Sequence, residues 1–106
     1  MIAMREIKRL SRQIADEFTP LRIVLFGSYA DGKPNKDSDV DLLIIMPIKG
    51  KSFHKTAEIR TAVRTNFPLD LIIRSPSEVQ KRITMGDSFL RNILEKGKVL
   101  YEAPNA

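Results

Sequence analysis

The chain reads as an α/β protein, a small mixed β-sheet flanked by helices. Short apolar runs suited to strands occur at Arg22 to Phe26, Val40 to Met46 and Leu69 to Ile73. Segments whose apolar residues recur at helical spacing lie before, between and after them. At 106 residues the chain has room for one modest core, so residues 1–106 are expected to form a single domain.

Ile7, Leu10, Ile14 and Phe18 recur at helical spacing, which predicts an amphipathic helix over about Met4 to Glu17, stopped near Pro20. The first strand, Arg22 to Phe26, ends in a Gly27-Ser28 turn. From Asp31 to Asp37 the chain is rich in turn formers and has no apolar anchor, so a mobile loop is expected. Val40 to Met46 is apolar on both faces after an acidic start, the pattern of a central strand covered by helices. Pro47 to Ser52 is a loop, and His54 to Asn66 carries Ala57, Ile59, Ala62 and Val63 as a second helix. Pro68 then resets the chain for the third strand. Ser75-Pro76-Ser77-Glu78 has the form of a capping box with Pro at the first helical position, opening a helix to about Thr84. Asp87 or Ser88 caps a last helix ending at Gly97. Lys98 to Glu102 has edge-strand length, and Pro104-Asn105-Ala106 is expected to fray.

Composition excludes several function classes. Without cysteine there are no disulfides and no thiolate metal site, which suits a reducing cytoplasm. No apolar stretch approaches the roughly 20 residues that span a bilayer, and Met1 to Glu6 lacks a signal-peptide core, so a soluble cytoplasmic chain with no membrane partner is expected. The net charge of +5 suits phosphate-bearing ligands or an acidic protein surface. Yet the cations are scattered, from Arg5, Lys8, Arg9 and Arg12 to Lys49, Lys51, Lys55, Arg60 and Arg64, with no basic stripe interleaved with aromatics. A solvated basic surface is the simpler reading, and no nucleic-acid partner is expected. His54, the only histidine, has no neighbour that makes it a ligand or base, and no Ser or Thr has the His partner that nucleophilic hydrolysis needs.

The chemistry is concentrated in Ile23 to Ile45. Asp39 and Asp41 stand at i and i+2, so their side chains project from one face of the second strand. Two carboxylates so placed repel, and a divalent cation or positive cluster between them resolves the conflict. Oxygen-only ligands favour a hard ion such as Mg²⁺. A helix starting at Ser28 would turn free N–H groups toward a phosphate, and Gly27 would let the backbone approach it. Asp70 interrupts what reads as a buried strand, where a charge costs several kcal/mol unless it is paired or ligated. Were that strand beside the second, the three carboxylates could converge on two metal ions. Taken singly, Gly27-Ser28 is an ordinary strand-to-helix turn, Asp39 a strand-start residue and Asp70 a core carboxylate paired with Arg74. Tyr29 either packs beneath the turn or contacts a ligand. The joint pattern is what points to chemistry.

That pattern, Gly27-Ser28-x-Ala30-x-Gly32, then Ser38-Asp39-x-Asp41-Leu42, then Asp70 in an apolar run, resembles the polymerase-beta-like nucleotidyltransferase superfamily, in particular its minimal, MNT-type members. The likeness is close over Ile23 to Ile45, looser over Leu69 to Ile73, and extends to the tail from Phe89 to Tyr101. It implies that the first two strands are antiparallel neighbours. It implies Mg²⁺-dependent transfer of a nucleoside monophosphate, AMP from ATP, to a hydroxyl. Asp39, Asp41 and Asp70 would be the catalytic residues and the ligands of two Mg²⁺ ions, and Gly27, Ser28 and Ser38 would bind the nucleotide. Small proteins of this type pair with an all-helical HEPN-type RNase toxin, so the resemblance implies an antitoxin whose acceptor is a tyrosine hydroxyl on that partner. Homo- and hetero-oligomers are both open. One departure stands out: many members carry Arg where this chain has Asp31, with Lys33 and Lys36 the nearby cations available to compensate. The alternative it raises is a catalytically weak nucleotidyltransferase-fold module that neutralises a partner by contact.

Overall fold

The computed structural model describes residues 1–104. Its elements run α1 (Met4–Phe18), β1 (Arg22–Phe26), β2 (Val40–Ile45), α2 (Ser52–Val63), β3 (Leu69–Arg74), α3 (Pro76–Thr84), α4 (Ser88–Lys96) and β4 (Lys98–Glu102). The strands form one sheet in the order β3-β2-β1-β4. β1 is antiparallel to both β2 and β4. β2 and β3 are parallel, which their connection through helix α2 permits. The fold is thus the mixed sheet expected, with β1 and β2 antiparallel neighbours. The expected fraying of Asn105 and Ala106 lies outside the described residues.

Alternation along the strands gives the sheet two covered faces. On one, Ile23, Leu25, Val40, Leu42, Ile44 and Ile73 pack against Ile7, Leu10 and Ile14 of α1 and Ile59 and Val63 of α2. On the other, Val24, Leu43 and Ile45 meet Leu90 and Ile93 of α4, with Val79 and Ile83 of α3 at the margin. β2 is buried on both sides, which is why its run lacks polar alternation. β3 is an edge strand and only partly covered, so the expectation of a buried strand is corrected there.

The caps follow their sequence signals. Ser75 Oγ accepts the Glu78 N–H at 3.2 Å, and Asp87 Oδ1 accepts the Leu90 N–H at 2.9 Å. The Glu78 carboxylate does not close the box; it reaches Arg74 at 3.5 Å and Arg82 at 3.1 Å, tying α3 to the end of β3. α2 begins at Ser52 and stops at Val63, earlier at both ends than apolar spacing indicated. Phe53 and His54 stack at 4.3 Å in its first turn, and Thr65 Oγ1 donates to Phe67 O at 2.8 Å as the chain leaves the helix toward Pro68.

Gly97 ends α4 for a spatial rather than a conformational reason. Its backbone is extended (φ −70°, ψ 166°), but a Cβ there would lie 2.5 Å from Ile93 O, 2.5 Å from Val24 Cγ1 and 2.9 Å from Leu25 O. The missing side chain lets α4 turn directly onto β1. Gly97→Ala is therefore expected to destabilise the fold by about 1–3 kcal/mol through overpacking, read from the urea denaturation midpoint, whereas Gly50, where a Cβ would meet nothing, owes its glycine only to its φ of 80°.

Candidate functional site

Register brings the acidic residues together. Asp41 sits opposite Asp70 across the parallel β2–β3 ladder, so both carboxylates rise from the same face on strands about 4.8 Å apart. Asp39, two residues before Asp41 and just outside β2, lies close enough for its charge to act on Asp41. On the other flank Asp41 sits opposite Phe26 of β1. This is the face that α3 and α4 cover further along, where Leu43 and Ile45 are buried. Asp41 is half-buried, whereas Asp39 and Asp70 are exposed. Asp70 is thus no core carboxylate: it stands on the accessible edge strand, level with Asp41.

The electrostatics are unfavourable as they stand. Burial, then the charges of Asp70 and Asp39, then a hydrogen bond to the Asp70 carboxylate push Asp41 from an ordinary 3.8 up to about 6. Among the described residues none of the three carboxylates has an ion pair; Arg74, a candidate partner for Asp70, engages Glu78 instead. Nor do three of them close into a ready-made cage for one ion. The donor set still fits Mg²⁺, which takes one or two carboxylates and fills its other positions with water and phosphate oxygens. Gly27 supports this fit. Its backbone is left-handed (φ 76°), and any Cβ on it would run into Asp41 Oδ2, so the glycine is a cradle for that carboxylate.

The segment after Gly27 departs from expectation. No helix starts at Ser28; a single turn forms, with Ala30 and Asp31 N–H donating to Gly27 O at 3.0 Å and Lys33 N–H to Ser28 O at 3.0 Å. Gly32, left-handed at φ 72°, and Pro34 stop its propagation. An anion here would meet no long helix dipole. It would meet the Ser28 and Tyr29 N–H groups, which no hydrogen bond among the described residues uses, and the half-buried Ser28 side chain.

Other predicted residues sort themselves. Tyr29 packs: it is buried, and its Oη accepts the Ile2 N–H at 3.0 Å, tying the chain start to the turn. Ser38 Oγ accepts the Asn35 N–H at 2.9 Å while Asn35 Oδ1 accepts the Asp37 N–H at 2.8 Å, so the loop ends in a hydrogen-bonded turn just before β2. His54 is exposed on α2. Sequence reasoning missed Phe26 and Phe89, which meet edge to face at 5.9 Å and 88° beside Asp41; strand parity from Asp41 and the β1–β2 register would have been needed to find them.

Comparisons with known proteins bear on the family and the fold. Residues 7–100 match the family model described as a nucleotidyltransferase domain. A Methanocaldococcus jannaschii protein named "putative protein adenylyltransferase" is 35% identical over 82 residues, covering 76% of this chain and 77% of its own. A crystal structure of a "putative nucleotidyltransferase" from Sulfolobus solfataricus superposes with a TM-score of 0.57 at 26% identity, covering 73% of this chain and 70% of that one. A chain in a crystal structure described as a toxin–antitoxin with AMP-PNP shares the fold at 19% identity, with a TM-score of 0.52 over 92% of this chain and 75% of that one.

The raised Asp41 pKa has a stability consequence with a definite sign. The folded state holds this proton more tightly than the unfolded chain, so ionisation opposes folding: native stability without metal should fall as pH rises from about 4 through about 6. Asp41→Asn removes that penalty. Thermal melts in chelator should find the variant more stable than the native chain near pH 8, with the gap closing below about pH 4; equal melting temperatures near pH 8 would contradict the assignment.

Proposed function

This chain belongs to the nucleotidyltransferase domain family, and from that premise we propose that it is a Mg²⁺-dependent protein adenylyltransferase, moving AMP from ATP to a hydroxyl on a partner protein. The observation that carries the reading is the in-register Asp41–Asp70 pair with Gly27 shaped around it. The name of the archaeal relative supports protein as the acceptor class.

In this reading Asp39, Asp41 and Asp70 are the catalytic residues and would hold two Mg²⁺ ions, with Asp70 contributing to the second. When bound, the ions neutralise charge along the triphosphate and align it for in-line displacement. The Ser28 side chain and the N–H groups of Ser28 and Tyr29 hold the β- and γ-phosphates, and Gly27 keeps the backbone close. Ser38, beyond closing its turn with Asn35, presents Asp39 to the nucleotide. Asp70, exposed and facing outward, takes the proton from the acceptor hydroxyl as its oxygen bonds to the α-phosphorus. The bond from that phosphorus to the bridging oxygen breaks, and pyrophosphate leaves. Catalysis is mostly alignment and charge neutralisation, so losing any one Asp should cost turnover more than folding.

Residues 1–106 act in this proposal as a single minimal domain, and the acceptor arrives on another molecule. That partner is proposed to be a HEPN-type helical toxin modified on a tyrosine, which makes this chain an antitoxin of the cytoplasm, where ATP and Mg²⁺ are abundant. The toxin–antitoxin setting of the AMP-PNP structure with the same fold supports the pairing. One observation favours a second reading, neutralisation by contact alone: Asp31 is exposed at the end of the phosphate turn, a negative charge beside a polyanion.

Incubation of a host lysate with ATP labelled at the α-phosphate separates the two. Adenylyl transfer predicts label on a discrete protein, lost with Asp39→Asn or with chelator. If the folded native chain labels nothing with any nucleotide yet still captures its partner, the contact reading replaces it. Asp70→Asn is expected to lower kcat by about 100-fold or more, the scale of a lost general base, with the melting temperature in chelator no lower than the native chain's, because the change also relieves the charge that Asp70 places on Asp41.

A further inference from the structure

We propose that the groove between the Gly27 turn and α4 seats the adenine ring of the nucleotide, with Phe89 as its stacking platform and Asn92 as the side chain that reads it. The inference rests on the nucleotidyltransferase reading and extends it to base selection.

The groove has a volume of about 150 Å³ and is lined by Phe26, Gly27, Asp31, Phe89, Asn92 and Lys96, among others. Pockets for drug-sized ligands run to about 300–1,000 Å³, so this one takes a single ring system rather than a whole nucleotide. Its position is set by register: Phe26 lies opposite Asp41, and Phe89 meets Phe26 edge to face at 5.9 Å. An aromatic wall therefore begins where the carboxylates end.

Phe89 is 57% exposed at the start of α4, although Leu90 and Ile93 already anchor that helix to the sheet. It adds little to the core, and Phe26 braces its ring. Charge decides against the triphosphate tail as occupant. Asp31 and Lys96 cancel, leaving a neutral lining that attracts no polyanion but suits an uncharged heteroaromatic ring. Asn92 presents an amide, whose paired donor and acceptor match the N6 and N7 edge of adenine. The Asp31 carboxylate offers a further acceptor for the exocyclic amine.

The test is calorimetric binding to the full chain in Mg²⁺, with ATP, GTP and inorganic tripolyphosphate as probes. ATP should bind more tightly than GTP and far more tightly than tripolyphosphate. Phe89→Ala should weaken ATP about 5- to 100-fold, the worth of one stacked base, and leave tripolyphosphate unchanged; Phe89→Trp should restore ATP. Asn92→Ala should narrow the preference for ATP over GTP, and in turnover both Ala variants should raise KM with kcat preserved. Native-like ATP binding by Phe89→Ala, or tripolyphosphate binding as well as ATP, overturns the base seat while leaving the nucleotidyltransferase reading intact. No ATP binding by the native chain overturns both.

Discussion

Two carboxylates set side by side across a parallel ladder are the constraint on which the rest of this structure turns. Asp41 and Asp70 occupy one register position of β2 and β3 with no cation paired to either among the described residues. Unit charges about 4 Å apart repel by about 1 kcal/mol in water and about 4 kcal/mol near a protein surface. Against a typical net stability of about 5–15 kcal/mol that is a substantial cost, and burial of Asp41, joined by the charges of Asp70 and Asp39, pushes its pKa upward. A domain of this size gains nothing structural from such a pair. A divalent cation between the two carboxylates would remove the repulsion.

The surrounding architecture is fitted to that pair. Gly27 gives up its side chain where one would strike Asp41, and its left-handed backbone turns the chain so that the unused Ser28 and Tyr29 N–H groups follow immediately. Gly97 gives up its own so that α4 docks close on β1, which brings Phe89 to Phe26 at the border of the acidic cluster. Beneath, the α1 and α2 face supplies the apolar mass that offsets the local repulsion. Stability is gathered on one side of the sheet and at one end of the other, and the acidic cluster occupies the end left uncovered.

Much of this was legible in the sequence because it is local. The i, i+2 spacing places Asp39 and Asp41 on one face without any knowledge of partners, and the Ser75 and Asp87 caps follow from side chains bonding N–H groups three residues on. What eluded the sequence depends on pairing. An apolar run does not reveal whether its strand is central or at an edge, so Asp70 read as buried when it is exposed. A Gly-Ser turn suggests a helix start, but Gly32 and Pro34 limit it to one turn. The Phe26–Phe89 contact joins residues far apart in the chain through the β1 and α4 packing, and no periodicity encodes it.

A crystal structure with Mn²⁺ and a non-hydrolysable ATP analogue, the metal located by its anomalous signal, decides whether the acidic pair holds the ion. A peak is expected between the Asp41 and Asp70 carboxylates, with Asp39 drawn in, the α-phosphate on the same ion and the β- and γ-phosphates over Ser28. A metal bound elsewhere, or a nucleotide seated away from β2 and β3 with the acidic pair still unliganded, would contradict it.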